Sequence, residues 1–296
     1  MMVKRMAESR FCPRVLIVAA LLWLRVCAAT AQASDPAAAS GQGPNHNGIS
    51  HCQAIGAGDP AMTPLSVVCE FALTYRRELP DFICEQTTTS TGLHSTTVMK
   101  AQVTFEKGHE HYSNATIDGK PAEANSAAAA SAMKVISWGE LGSDLVELFE
   151  PPVVAEFKFQ KEEKLHTIHA WLYEFHIPAE KNTFWALRDS RGIDLHPECQ
   201  GKLWVERPSG QLLRLELRPV RLPKDFEIIA AHTTTDYSEI AIADAGTFLL
   251  PSKSVTTACL HHPGRSTPTC RTNVLVFHDC RKFVAKTRVI TDHPQP

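Results

Sequence analysis

Past residue 24 the sequence has no apolar run approaching the ~20 residues that a membrane helix needs. It also has no excess of charge of either sign, with 30 basic residues against 32 acidic ones and a net charge of −2. That balance excludes the strongly basic face of a nucleic-acid binder. No nucleophile elbow, phosphate-binding loop, dinucleotide fingerprint or zinc-protease helix is present, and no repeat of solenoid length. The expectation is therefore a non-enzymatic protein with no cofactor and no metal. Aromatic residues make up only 7 %, so the few that fall on apolar rows mark where an interior has to be filled.

The N-terminus, in contrast, is distinctive. Lys4, Arg5, Arg10 and Arg14 precede the short apolar run VLIVAALLWL, and Ala31-Gln32-Ala33 has the small-x-small pattern of a cleavage site. Residues 1–33 read as a secretory signal peptide. Arg25 and Val26 before Cys27 do not resemble the small-residue motif of a lipoprotein. The chain is expected to be exported, to the periplasm or beyond, in association with an outer membrane, and to keep no membrane span after cleavage. Residues 34–62, rich in Ala, Gly, Pro and Asn, read as a flexible tether. One domain is expected over 63–293.

Seven cysteines follow the leader: Cys52, Cys69, Cys84, Cys199, Cys259, Cys270 and Cys280. Export makes disulfides reasonable. Cys259 and Cys270 flank the polar, Pro-containing stretch HHPGRSTPT and would meet across a hairpin; sequence leaves the other connectivities open. An odd count leaves at least one thiol, read as a small buried hydrophobe.

Periodicity supplies the elements. Thr63-Pro64 looks like an N-cap with proline in the first turn. Leu65, Val68, Cys69, Ala72 and Leu79 then share one helical stripe, which Pro80 ends. Next the period falls to two: Met99, Ala101, Val103 and Phe105 alternate with polar residues, as on a half-buried strand. HEHYSNATI is a partner strand beyond the Lys107-Gly108 turn, and AEANSAAAASA over 122–132 reads as a surface loop. SWGELGSDLVELFEPP, 137–152, predicts a second helix, with Ser137 and Glu140 in capping-box spacing. Rows at 153–159 and 165–177 follow. GKLWVERPSGQLLRLELRP, 201–219, reads as a hairpin with Leu203, Val205, Leu213, Leu215 and Leu217 facing inward. More strands follow around 226–236, 247–259 and 271–290. The pattern is an antiparallel meander.

Few groups suggest chemistry. His109 and His111 share a face, as a zinc site would need, but four ligands are required; a solvated pair is expected. His169, among Trp171, Tyr173 and Phe175, reads as a core histidine. Asp189, Asp194 and Glu198 form a loose acidic group in a loop, far from the facing pair that carboxylate catalysis uses. Asn114-Ala115-Thr116 matches a glycosylation acceptor.

YRRELPDFICEQTTT, SWGELGSDLVELF, GKLWVERPSGQLLRLE and GTFLLPSKS resemble exported proteins common in acidobacteria. The order of signal peptide, early helix, meander, inserted helix and xLWxxxxxGxLxRxE hairpin resembles the lipoprotein-carrier fold of LolA, LolB and RseB. The resemblance covers roughly 64–290. It implies an α+β fold, a strongly curved antiparallel β-sheet left open as an unclosed barrel, with helices packed on the concave side around an apolar cavity. Leu145, Phe149, Trp171, Phe175 and Trp204 are the expected cavity lining. The expected role is binding of a lipid-like ligand or lipoprotein in that half-barrel. The alternatives are an envelope protein-protein interaction module with a filled core, and a hydrolase whose site is scattered in sequence.

Overall fold

The computed structural model describes residues 46–123, 133, 141, 143–150, 155–183, 185–189, 193–261, 264 and 267–283. All lie within one compact unit, residues 44–296. The expected leader, the first part of the expected tether, most of the expected loop over 122–132, the proposed caps Ser137 and Glu140, and the end of the last expected strand fall outside these residues.

Three helices are described: α1 (His46–Gly56), α2 (Thr63–Glu78) and α3 (Ser143–Phe149). The strands are β1 (Phe82–Thr91), β2 (Thr96–Glu106), β3 (His109–Ile117), β4 (Lys120–Pro121), β5 (Glu156–Leu165), β6 (Ile168–Ile177), β7 (Leu187–Arg188), β8 (Asp194–Leu195), β9 (Cys199–Glu206), β10 (Leu212–Pro219), β11 (Ile228–Ile242), β12 (Gly246–Leu260) and β13 (Thr269–Lys282). Apart from the β7-β8 ribbon they form one sheet, in the order β4-β3-β2-β1-β13-β12-β11-β10-β9-β6-β5. The strand pairings are antiparallel, including that of the first strand with the last. The two edges, β4 and β5, are consecutive in sequence. The segment that carries α3 connects them, so the sheet is an open barrel whose gap lies in mid-chain.

Alternation of side chains turns one face of the sheet inward. On one wing Val103 and Phe105 of β2 cluster with Tyr75 and Leu79 of α2. On the other, Phe175, Leu203 and Val205 cluster with Leu65, Val68 and Ala72 of the same helix. Contact of one helix with both wings requires the sheet to curve around it. Leu145, Leu148 and Phe149 of α3 enter the second of these clusters. The fold class expected from sequence is therefore the one observed: an α+β arrangement with helices on the concave side of an unclosed antiparallel sheet.

Two local expectations change. The N-cap of α2 is Met62, and Thr63 is already helical; the capping carboxylate is Asp59, which accepts from Ala61 N at 2.8 Å at the start of the 3-10 turn before it. Residues 46–62, expected as tether, carry α1 and that turn, and Cys52 of α1 is bonded to Cys69 of α2. A disulfide to a buried helix supplies the order that a composition rich in Ala and Gly does not. The other bonds are Cys259–Cys270, across neighbouring strands as the loop between them suggested, and Cys84–Cys280. Of the second expected helix, Ser143–Phe149 is helical, and its expected ends lie outside the described residues.

Candidate functional site

The pairing register arranges the inner face in rows that run across the strands. Ser90 lies opposite Asn273, Asn273 opposite Thr256, and Thr256 opposite Thr233. The row then turns apolar, through Leu217, Gly201 and Phe175 to Phe157. The next row runs Thr88, Leu275, Ser254, Thr235, Leu215, Leu203, Tyr173 and Phe159. The concave floor is thus divided. Its flanks are apolar, and its middle, over β1, β13, β12 and β11, is a band of hydroxyl and amide side chains.

That band is buried. Gln86, Thr88, Ser90, Thr233, Thr235, Ser254, Thr256 and Asn273 are each exposed by 7 % or less. Buried polar groups are costly unless paired, and most of these are. The hydroxyls of Thr233 and Thr256 lie 3.1 Å apart, and those of Thr235 and Ser254 3.3 Å. Gln86 Nε2 donates to Thr88 Oγ1 at 3.1 Å. Ser90 Oγ donates to the Met133 carbonyl at 2.9 Å and receives the Arg271 Nε–H at 3.1 Å. Gln86 Oε1 has no partner among the described residues.

Leu145, Phe149 and Phe175, three of the five residues expected to line a cavity, are packed together within 2 % exposure. Phe149 stacks on Phe157 with ring centres 5.2 Å apart, and Phe157 meets Phe175 at 5.9 Å. Trp171 is half-buried at the margin of this cluster, with the Arg207 guanidinium 5.1 Å from its ring centre. Trp204 belongs to the opposite face. Leu203 and Val205 point inward, so the residue between them points out, where it joins Ala170, Leu172, Leu165 and Leu213. There its indole N–H donates to Glu163 Oε1 at 2.7 Å. The Lys161 ammonium, followed by this indole bond, holds the Glu163 carboxyl below its ordinary range.

The two hollows described offer no enclosed apolar chamber. One, of about 50 Å³, sits beside Phe71, Tyr75 and Leu79 at the end of α2. The other, about 840 Å³, is an open groove on the outer face of β5, β6, β9, β10 and β11. Two outward rows line it: Glu156, His176, Gln200, Arg218 and His232, and Lys158, Glu174, Lys202 and Glu216. Within it His176 Nε2 lies 2.8 Å from Glu198 Oε1, and Lys202 Nζ lies 3.7 Å from Glu174 Oε1. Beneath it, on the inner side, Gly201 permits the crossing of β10. A Cβ there would lie 2.0 Å from the Glu216 carbonyl oxygen and 2.2 Å from the Phe175 ring.

The other candidates separate. His109 and His111 are exposed, while Glu110 between them points inward and accepts from Leu141 N at 3.1 Å, linking β3 to the approach to α3. His169 is exposed at the end of β6 rather than in the core. Asp189 accepts from Ile193 N, Asp194 pairs with Arg188, and Glu198 with His176, so each acid serves a different partner. Asn114 is on the surface, with φ of 51°. Cys199 is the free thiol among the described residues; burial, followed by nearby Glu198, pushes it up to about 12. It stays protonated at neutral pH, so iodoacetamide at pH 8 should leave it unmodified in the folded protein and alkylate it in urea. Mass spectrometry of the two samples checks this.

No protein-family model matches the chain. No curated protein matches it either. Solved structures give low-identity matches. A LolA superfamily protein from Nitrosomonas europaea is 13 % identical, overlaps 74 % of this chain and 94 % of its own, and has a TM-score of 0.38. A DUF1329 family protein from Desulfovibrio piger is 10 % identical, with 77 % and 95 % covered and a TM-score of 0.37. An outer membrane lipoprotein-sorting protein domain from Vibrio parahaemolyticus is 11 % identical, with 77 % and 93 % covered and a TM-score of 0.36.

Proposed function

We propose that the protein is an exported, non-enzymatic binding module of the cell envelope, and that it holds a protein partner rather than an acyl chain. One observation carries this reading: among the described residues, the concave side is filled by side chains of the protein itself. Its apolar flanks are occupied by Leu65, Val68, Leu145, Leu148 and Phe149. Its middle is the polar band, where a hydrocarbon would cover hydroxyls without pairing them. Burial of a lipid tail gains about 25 cal/mol per Å² only where apolar surface receives it. The groove of ligand size is instead outside, wet and lined by charges of both signs. Such a surface suits a polar protein partner, which it would select by charge pattern more than by buried area.

Delipidated protein titrated with a fluorescent fatty acid should show no saturable signal. Saturable binding at one equivalent, weakened by Phe175→Asp, would overturn the proposal in favour of a carrier. On the partner side, Lys202→Glu combined with Arg218→Glu should abolish a specific envelope complex while leaving the melting temperature within a few degrees of the parent.

A further inference from the structure

We propose that Glu85, His278 and Asp279 form a binding site for a divalent transition-metal ion on the outer face of the seam where β1 meets β13. Each offers one ligand atom, and these atoms lie within 4.8 Å of one another at the protein surface. The arrangement has a specific backbone cause. Ile83 pairs with Arg281 and Glu85 with His278, so β13 carries one residue more than β1 between these pairs. Successive residues of a regular strand point to opposite faces. The extra residue is accommodated as a bulge with Asp279 at φ 53°. That brings Asp279 to the side of its own neighbour: Asp279 Oδ2 lies 2.8 Å from His278 Nδ1. Cys84–Cys280 crosses the same two strands beside the bulge and holds this register.

The charges point to a cation. Two carboxylates are held close together, and no lysine or arginine pairs with either among the described residues. The group beside them is an imidazole, whose neutral form is itself a ligand. One imidazole nitrogen and two carboxylate oxygens, with water in the remaining positions, suit zinc and its first-row neighbours. Calcium and magnesium favour oxygen-only sites. The two carboxylates together match a divalent charge. Thr87 Oγ1, 3.2 Å from His278 Nε2, steadies the ring from the other side. This site is independent of the outer groove, and a metal there would act as a second, reversible cross-link at the seam.

Calorimetric titration of chelator-washed full chain with zinc chloride at pH 7.5 tests the site. One equivalent should bind. His278→Ala and Glu85→Gln should each weaken it at least about tenfold, since loss of even an outer-shell partner costs that much. His109→Ala with His111→Ala should leave it unchanged. Zinc should also raise the melting temperature of the parent but not of His278→Ala. Absence of uptake by the parent, or an affinity unmoved in both His278→Ala and Glu85→Gln, overturns the proposal.

Discussion

Replacing Cys84 and Cys280 together by alanine should lower the melting temperature by roughly 10–20 °C. The bond spans 196 residues. Loop-closure entropy removed from the unfolded chain grows with the logarithm of that span, which puts the stabilisation at about 5 kcal/mol. For a domain of this size each kcal/mol corresponds to about 2–4 °C. The same reasoning assigns only about 3 kcal/mol to Cys259–Cys270, which spans 11 residues. Calorimetric scans of the two double variants should therefore separate clearly. Equal losses would mean that the long-range bond is strained or that the unfolded chain is already compact at the seam. Alanine is the replacement of choice because Cys84 is fully buried and Cys280 nearly so, and a serine hydroxyl there would add a desolvation penalty.

Truncation of Phe149 to alanine should cost about 3–5 kcal/mol, the range for emptying an aromatic site in a packed core. Phe149 is 1 % exposed, stacks on Phe157 across the gap between helix and edge strand, and joins both α2 and the inner face of the sheet. A filled core and a ligand chamber predict opposite outcomes. If the helices merely lean over a space kept for a ligand, the loss would be small, because solvent or lipid would take the place of the ring. If the core is solid, the variant loses stability, and a small apolar molecule such as benzene should recover part of it by occupying the new void. Urea unfolding with and without such a molecule measures both quantities.

The fold was legible where one face of a strand is apolar. Met99, Ala101, Val103 and Phe105 of β2 and Leu203, Leu215 and Leu217 of β9 and β10 show their period directly, whereas Leu213, expected to face inward, lies on the outer face with Trp204 because a bulge between Leu212 and Arg214 puts Leu212 inward instead. β1 shows no period for a physical reason: its inward residues after Cys84 are Gln86, Thr88 and Ser90, so polar residues occupy both faces and no alternation appears. The same chemistry hides the polar band, which becomes visible only when the register sets Ser90, Asn273, Thr256 and Thr233 side by side. Trp204, expected in the cavity lining, faces out, as the inward Leu203 and Val205 on either side of it require. Of the expected lining, Leu145, Phe149 and Phe175 do meet, on elements far apart in sequence. The Glu85, His278 and Asp279 group could not be read in advance. It depends on one extra residue in a strand pairing, and a bulge of that kind leaves no periodic trace.

The adjacency of β1 and β13 also constrains how the chain acquires its shape. The strand nearest the N-terminal helices has one neighbour at once, in β2, and waits for the other until almost the whole polypeptide has been delivered. A seam of such high contact order implies slow folding and a half-built sheet with its future junction open. Until then the growing chain would present two bare edges at that junction, and an assisting factor would have most to do in that interval.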